Sequence, residues 1–377
     1  MKAFAGFRLL VLMSIAVTPC FAQDRTMIVE QPAKSPDEQR ASFSLPPGFE
    51  IQLVASEPDI KKPMQLAFDE KGRLLVSTST DYPFAPGEGA APGDKVMRLE
   101  IDGVTGKATK VEAVVEGLNI PSGIEALPGE RILLGHAPDL LLVQLKDGKE
   151  VSREVLYTGF KRDDTHEILN SFTWGVDGWL YALQGQTNKS TITDKKGREV
   201  PLYHGNTYRM RPDGTELEVI APGMSNPWGQ IFDDNYNLFG SDCESRPLWQ
   251  IVPGFSYPGF RQPKAAAGYA PFITEDGHGA SGFAGLVYMD AYGFPEEYRR
   301  TLFLGNVMQG FIHRDGFKGT GYTRFADRKP DFMKSSDGWF RPVDLELGPD
   351  GAIYVADWYN AVIAHVEVRL DHPARDK

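Results

Sequence analysis

Apolar and polar positions alternate in short runs along most of the chain, and these runs recur as one phrase. The phrase is an apolar strand, a turn built on Asp or Gly, and a second apolar strand. It occurs six times, at Gln65–Thr78, Ile124–His136, Phe172–Gly185, Gln230–Asp242, Leu286–Asn306 and Leu345–Asp357. The turns lie 49 to 64 residues apart. A period of this size, with strand–turn–strand content in every copy, predicts the blades of a β-propeller.

The repeats therefore predict an all-β fold, a six-bladed β-propeller over residues 45–377, preceded by a flexible lead-in at 23–44. The 39 glycines and 27 prolines supply the tight turns that many short strands require. Because propellers avoid free edges, we expect a strand near Phe49–Val54 to close the ring with the C-terminal blade. The chain stops soon after Val362–Val368, so the last blade is expected to lack one strand.

The N-terminus has the pattern of a signal peptide. Lys2 and Arg8 precede the short apolar run Leu9–Val17, and small residues follow at Cys20 and Ala22, the key positions of a signal-peptidase site. We expect cleavage of residues 1–22 and a periplasmic or secreted mature protein. No other run is apolar enough to cross a membrane, so no integral membrane segment is expected after cleavage.

Charge and cysteine content exclude several classes of function. The net charge of −11 at pH 7 disfavours nucleic acid or anionic lipid as a main partner. Only Cys243 follows the predicted cleavage site, so an intramolecular disulfide is not expected. The chain has neither a zinc-type cysteine cluster nor a motif for covalent haem attachment.

The segment Asp163–Asn188 holds the first candidate chemistry. His166 precedes a predicted inner strand and could take a proton from a substrate hydroxyl, while Asp164 would fix its tautomer. Asn170 and Gln184 could orient a polar ligand or cofactor. The alternative is that His166 only caps a loop by hydrogen bonding to the backbone.

Two further segments offer single candidates. Asn226 precedes a proline at the entrance to an inner strand, where its side chain could face the funnel, although Asn-Pro also forms turns without function. Arg246 lies on an exit loop with Asp242 and Glu244 and could hold a carboxylate or phosphate-like group. A solvated cluster of salt bridges is the alternative for that loop.

The segment Phe340–Asn360 is the densest in polar and aromatic residues. Aromatic rings beside Asp and Asn are typical of sugar sites, where rings stack on C–H faces and polar groups bind hydroxyls. Packing between blades is the competing explanation for the aromatic residues. The candidates are Arg341 for a cofactor and Asp344, Asp357, Trp358, Tyr359 and Asn360 for a substrate.

Several motif-based chemistries are not supported. The chain has no G-x-S-x-G nucleophile elbow, no Walker A loop and no Rossmann glycine fingerprint. No pair among the remaining histidines has metal-ligand spacing on an evident element. These histidines are His136, His204, His278, His313, His365 and His372.

The chain resembles the N-terminal propeller of the membrane-bound dehydrogenases of planctomycetes and verrucomicrobia, which are similar to soluble quinoprotein glucose/sorbosone dehydrogenases. The resemblance runs from Pro46–Ile60 to Asp371–Asp376, and Phe340–Asn360 is its most specific part. It implies a six-bladed propeller that oxidises a sugar or polyol, with a separate cytochrome or other electron acceptor. Related proteins continue into a haem-binding domain, whereas no covalent haem is expected in this chain.

The resemblance also implies roles for particular residues. His166 corresponds to the histidine base of the quinoproteins, in which hydride passes to pyrroloquinoline quinone (PQQ). Their quinone-binding Arg-Asn pair reads Ser225-Asn226 here, so the arginine is absent. The calcium-holding loop of the quinoproteins has no clear match near Asp242–Arg246.

Three functions remain open at this stage. The leading hypothesis is a quinoprotein-like dehydrogenase module that uses PQQ and Ca²⁺. The second is a metal-dependent hydrolase of the lactonase or strictosidine-synthase type, with Asn170, Asn226 and Asp344 around one axial ion; oxygen ligands would favour calcium. The third is a non-catalytic propeller that binds a carbohydrate or a protein, because propellers support all three functions.

Overall fold

The computed structural model describes residues 28–86, 89–259, 270–274, 277–279, 281–319, 324–363, 368–369 and 372–375. The predicted signal peptide at residues 1–22 lies outside the described residues. Among the described residues, no helix is long and apolar enough to span a bilayer.

The chain enters the fold through one short helix and one short strand. Helix α1 (Pro36–Arg40) begins at Ser35, whose hydroxyl accepts the Glu38 N–H while the Glu38 carboxylate accepts the Ser35 N–H. Strand β1 (Phe43–Ser44) follows and pairs with a strand far along the chain. These elements occupy part of the predicted lead-in.

Antiparallel sheets account for nearly all the remaining regular structure. The first two sheets are formed by β2 (Pro63–Phe68), β3 (Leu74–Thr78), β4 (Asp94–Ile101) and β5 (Ala108–Leu118), then by β6 (Gly123–Leu127), β7 (Arg131–His136), β8 (Asp139–Lys146) and β9 (Lys149–Thr158). The third contains β10 (Asn170–Trp174) and β11 (Leu180–Gln184), then β14 (Asn206–Met210) and β15 (Leu217–Pro222). The hairpin β12 (Ser190–Asp194) and β13 (Glu199–Leu202) joins the outer edge of the second sheet.

The second half of the chain forms three further sheets. The fourth contains β16 (Pro227–Phe232), β17 (Leu238–Asp242) and β18 (Trp249–Ile251). The fifth contains β19 (Phe283–Tyr288), β20 (Leu302–Asn306), β21 (Phe311–Lys318), β22 (Phe325–Arg328) and β23 (Met333–Ser335), with a 3-10 helix at Glu296–Tyr298. The last is the hairpin β24 (Pro342–Leu347) and β25 (Ile353–Asp357).

The sheets form a closed ring, which makes the fold a β-propeller. The first strands β2, β6, β10, β16, β19 and β24 contact one another in that order, and β24 contacts β2. Most of the apolar clusters lie between two neighbouring sheets. Val96 and Ile132, for example, share one cluster, and Leu183 and Trp249 share another. The core is therefore divided among the interfaces between sheets.

All six predicted strand–turn–strand units are hairpins in the structure, each formed by the first two strands of a sheet. The residue at each turn has a positive φ. Glycine occupies four of these turns, and Tyr236 (φ 61°) and Arg300 (φ 55°) occupy the other two. The repeat thus reflects a backbone requirement for the left-handed region at the same place in every sheet.

The prediction of a six-bladed propeller, with a last blade that lacks one strand, is corrected by the structure to five blades. Five sheets have three or more strands, and the sixth unit has only β24 and β25 among the described residues. The predicted ring closure through Phe49–Val54 is also corrected, because the N-terminal strand β1 pairs with β23 of the fifth sheet. Residues 49–54 are not a strand, and Phe49 packs against Phe294 and Phe332.

Five of the six innermost strands are bulged, and side chains from other sheets bind backbone N–H groups at or next to the bulges. A register shift occurs in β2, β10, β16, β19 and β24. The Asp344 carboxylate accepts the Leu66 N–H at 2.9 Å, which joins β24 to β2. The Gln65 side-chain carbonyl accepts the Ser171 N–H at 3.1 Å, and the Ser171 hydroxyl accepts the Gly229 N–H at 2.8 Å.

Tyr236→Gly should raise the free energy of unfolding by about 0.5 kcal/mol, because glycine adopts a positive φ without steric cost. The Tyr236 side chain is 62% exposed, so little packing is lost. Tyr292→Gly is the matched control: this tyrosine is 92% exposed but is not among the residues with positive φ. Urea denaturation of the three proteins measures the difference. A loss of stability in both variants would contradict this explanation.

Gly229→Ala should destabilise the ring by about 2 kcal/mol or more. A Cβ at Gly229 (φ 104°) would lie 2.8 Å from the carbonyl carbon of Gly285 in the next inner strand. Gly254 (φ 82°) has no atom within 4 Å of such a Cβ, so Gly254→Ala isolates the cost of the positive φ alone. If urea denaturation shows equal losses of stability in Gly229→Ala and Gly254→Ala, contact of the added Cβ with the next inner strand does not destabilise the protein, and the explanation is wrong.

Candidate functional site

One cavity of about 230 Å³ opens where the innermost strands begin and the second strands end. Its wall comes from loops of several sheets. The lining includes Tyr82, Asp164, His166, Glu167, Asn226, Trp228, Cys243, Glu244, Phe283, Met308 and Trp358. The cavity therefore brings together residues that are far apart in sequence.

His166 and Asp164 form a hydrogen-bonded pair on this cavity. The His166 Nδ1 and the Asp164 Oδ1 are 3.0 Å apart, and the same oxygen accepts the His166 backbone N–H. Their side chains are 21% and 24% exposed. The fully buried Asn188 holds the Asp164 backbone by two hydrogen bonds. A carboxylate on Nδ1 favours the tautomer in which Nε2 can accept a proton from a ligand.

Glu167 is a buried carboxyl group beside this pair. It is 5% exposed, lines the cavity and accepts the Thr187 N–H. Burial raises the pKa of Glu167 to about 7, and the charges of Asp164 and Glu244 act in the same direction. Apart from its adjacency to His166, nothing in the sequence indicated that Glu167 lines the cavity.

Aromatic rings form a large part of the wall. The rings of Tyr82 and Trp358 meet edge to face with centroids 5.3 Å apart, and Tyr82 also lies 5.9 Å from the His166 ring. The Trp228 indole N–H donates to the Val343 carbonyl at 3.0 Å, which fixes that ring across two sheets. Burial raises the pKa of the Tyr82 hydroxyl, so it stays protonated. Such rings can stack on the C–H faces of a sugar.

Asn226 reaches the cavity because a carboxylate holds the turn that carries it. The Asp242 side chain accepts the Ser225 N–H at 2.7 Å and the Asn226 N–H at 3.0 Å. Four predicted site residues therefore line one cavity: His166, Asp164, Asn226 and Trp358.

The structure does not bring the other predicted residues to this cavity. Asn170 is fully buried; it donates to the Ile168 and Pro227 carbonyls and accepts the Ser171 hydroxyl. Gln184 is also fully buried and donates to the Asn188 carbonyl at 2.7 Å. Both amides satisfy backbone and side-chain groups within the framework.

The two arginines predicted to bind a cofactor do not line this cavity either. The Arg246 guanidinium lies over the Phe272 ring at 4.6 Å. The Arg341 guanidinium is buried and donates to the carbonyls of Asn360, Val307 and Ala361. Burial lowers the pKa of Arg341 to about 10.

The polar residues around β24 and β25 that were predicted to bind substrate also form hydrogen bonds with backbone groups. Asp344 joins β24 to β2, and burial raises its pKa to about 7. Asp357 accepts the Arg341 and Tyr359 N–H groups, as Asp242 does for the equivalent turn. The Tyr359 hydroxyl accepts the Lys34 N–H, and the Asn360 side-chain carbonyl accepts the Val362 N–H. Of the residues predicted in this segment, only Trp358 lines the cavity.

The described lining does not fit PQQ, which carries three carboxylates. It presents three carboxyl groups of its own, on Asp164, Glu167 and Glu244, and contains no lysine or arginine among the described residues. Ser225, at the position of the quinone-binding arginine, is fully buried. Bringing like charges together in a buried site is unfavourable. The axial ion site is not assembled at this cavity either, because Asn170 and Asp344 are engaged elsewhere.

Glu167→Gln should raise the free energy of unfolding above that of the wild type by more at pH 8 than at pH 5. The difference between the two pH values should be on the order of 2 kcal/mol. The folded-state pKa of about 7 lies above the ordinary 4.5, so wild-type stability falls as pH rises through this window. The amide removes that ionisation and can still accept the Thr187 N–H. Urea denaturation at both pH values measures the difference, with the exposed Glu116→Gln as control. An identical pH dependence in wild type and Glu167→Gln would contradict the buried ionisation.

Solved structures with the same fold include three dehydrogenases. A glucose dehydrogenase-type oxidoreductase from Thermus thermophilus has a TM-score of 0.60 at 16% identity, covering 86% of this chain and 97% of that one. The PQQ-bound aldose sugar dehydrogenase of Streptomyces coelicolor has a TM-score of 0.56 at 18% identity, covering 86% of this chain and 94% of that one. The PQQ domain of pyranose dehydrogenase from Coprinopsis cinerea has a TM-score of 0.57 at 13% identity, covering 84% of this chain and 94% of that one. At these identities the likeness establishes the fold alone.

Sequence comparison establishes the family. No match to the chain was found among curated proteins. Residues 35–377 match the model of a family described as a domain of unknown function, DUF7133. The match covers nearly the whole propeller and includes every cavity residue named above. The chain therefore belongs to the DUF7133 family.

Proposed function

We propose that this chain is an exported, dehydrogenase-like propeller that oxidises a hydroxyl group of a sugar or polyol. The observation that carries the proposal is the His166–Asp164 pair on a cavity with aromatic walls. The proposal places the chain beside the membrane-bound dehydrogenases of planctomycetes and verrucomicrobia. It also treats hairpin β24–β25 as an incomplete sixth blade.

His166 would act as the base. Asp164 holds Nδ1, so Nε2 would receive the proton of the substrate hydroxyl. A hydride would leave the carbon that bears this hydroxyl for an acceptor, and the C–OH group would become a carbonyl. The Asn226 amide and the Glu167 carboxyl can hydrogen-bond neighbouring hydroxyls, because both line the cavity. Near pH 7 Glu167 can also donate, since its pKa is about 7.

The acceptor would be a two-electron oxidant without negative charge, such as a neutral quinone. The three carboxyl groups of the lining favour neutral or cationic partners over a tricarboxylate. A separate cytochrome or other electron acceptor would then reoxidise this compound. Where PQQ or calcium does support turnover, the acceptor part of the proposal is wrong while the role of His166 can still hold.

A non-catalytic carbohydrate-binding propeller is the second candidate. The aromatic wall of Tyr82, Trp228 and Trp358 favours it, because stacking and hydrogen bonds suffice for binding without a base. The two candidates differ in turnover and in their dependence on His166.

The deciding experiment is dye-coupled oxidation of a panel of sugars and polyols by the mature protein. Each substrate is tested with a neutral quinone, with PQQ plus Ca²⁺, and with neither. Turnover with the neutral quinone should fall about 100-fold or more in His166→Ala, and less in Asp164→Asn, because the base is lost or misoriented. His204→Ala is the matched control, since His204 is not part of the cavity lining.

Three outcomes separate the possibilities. Turnover that persists in His166→Ala refutes the assigned base. Turnover that depends on PQQ refutes the assigned acceptor class. Sugar binding by calorimetry without turnover, unchanged in His166→Ala, refutes the dehydrogenase and leaves the binding module.

A further inference from the structure

Two buried histidines lie together at the fifth sheet, outside the lining of the cavity described above. His278 is in the segment that leads into β19, and His313 is on β21. Both side chains are 1% exposed. The ring centroids are 4.3 Å apart and the ring planes differ by 24°. No sequence pattern pairs them, because they lie on different elements.

Each histidine is bound to a carboxylate. The His278 Nε2 lies 2.7 Å from the Asp315 Oδ2, and the His313 Nδ1 lies 2.8 Å from the Asp331 Oδ1. The His313 Nε2 also lies 3.0 Å from the Gln309 Oε1. Lys334 contacts the other oxygen of Asp331 at 2.9 Å. The group therefore combines two buried imidazoles with the buried carboxylate of Asp315 and the partly buried carboxylate of Asp331.

Three of these residues have the arrangement of metal ligands. One ligand atom each from His278, His313 and Asp331 lies within 4.8 Å of the other two. Bonds of about 2.0–2.1 Å at tetrahedral angles place the ligand atoms roughly 3.3 Å apart. We propose that His278, His313 and Asp331 form a binding site for a divalent transition-metal ion, of which Zn²⁺ fits best. Side-chain shifts of about 1 Å, with some rotation of the stacked rings, bring the three atoms to that spacing.

The donor set selects the class of metal. Two imidazole nitrogens and one carboxylate oxygen suit Zn²⁺ and its neighbours, whereas Ca²⁺ and Mg²⁺ take oxygen ligands almost exclusively. Asp315 then has the position of an outer carboxylate that orients a ligating histidine through its other ring nitrogen. The Gln309 side-chain carbonyl contacts His313 Nε2, the ring nitrogen opposite the Asp331 side, so it would orient the His313 ring while a water completes the coordination.

The site supports one wall of the cavity. His278 lies just before the lining residues Ser281–Ala284, and Gln309 directly follows the lining residue Met308. The Gln309 side chain donates to the His278 carbonyl at 3.4 Å, which links the two segments. An ion bound by His278, His313 and Asp331 would tie the segment before β19 to β21 and to the segment before β23. Its role is structural, since both histidine ligands are buried and none of the three protein ligands lines the cavity.

Metal titration of the purified mature protein tests the site. The protein is prepared without a polyhistidine tag, stripped with a chelator and titrated with Zn²⁺ by calorimetry. We expect one equivalent to bind and the Tm to rise with the free Zn²⁺ concentration. Titration with Co²⁺ alone should give visible absorption bands of a nitrogen–oxygen site.

Matched variants locate the ion. His313→Gln should abolish the stoichiometric binding and the Co²⁺ bands, and Asp315→Asn should weaken binding about 10-fold or more. His204→Gln removes a histidine outside the group and should leave both signals unchanged. Circular dichroism checks folding, and Asp331→Asn replaces His313→Gln if that variant does not fold. Equal Zn²⁺ affinity in wild type and the ligand variant, or no binding by the folded wild type, overturns the proposal. Neither result bears on sugar oxidation, because the assay of His166 is separate.

Discussion

The architecture depends on satisfying the backbone of the innermost strands at the centre of the ring. A bulge displaces the ladder in five of these strands, and a buried N–H without a partner would cost free energy comparable to a lost hydrogen bond. Side chains from other sheets of the ring meet this need: Asp344 for Leu66, Gln65 for Ser171, and Ser171 for Gly229. These bonds join β24 to β2, β2 to β10, and β10 to β16.

The same requirement explains why polar residues near the inner strands divide into two groups. Asp344 and Arg341 looked like ligand-binding groups from the sequence, yet their side chains bind backbone groups of the ring and its turns. Asp242 and Asp357 repeat one role, each accepting N–H groups at the entrance to an inner strand. Carboxylates at these two positions hold the turn rather than a ligand. Residues that line the cavity instead project from a turn held in this way, as Asn226 does.

The local features of the structure were predictable from the sequence, and the long-range ones were not. The six hairpins were predictable because a positive φ at each turn leaves a periodic Gly or Asp signal, even where Tyr236 substitutes for glycine. The His166–Asp164 pair was predictable because it spans two residues. Pairing of β1 with β23 was not, since it joins Phe43 to Ser335 and depends on ring closure. Tyr82 and Trp228 reach the cavity from separate sheets and left no local signal.

The charge of the cavity constrains its chemistry more than the fold does. Propellers of this shape support many reactions, so the likeness to sugar dehydrogenases leaves both acceptor and substrate open. Glu167 has a raised pKa because it is buried among other acids, and an anionic ligand placed there would raise it further. A neutral hydroxylated ligand avoids that cost and can use both Glu167 and Asn226 as hydrogen-bond partners. The electrostatics of the cavity therefore disfavour anionic ligands, whichever reaction the His166–Asp164 pair supports.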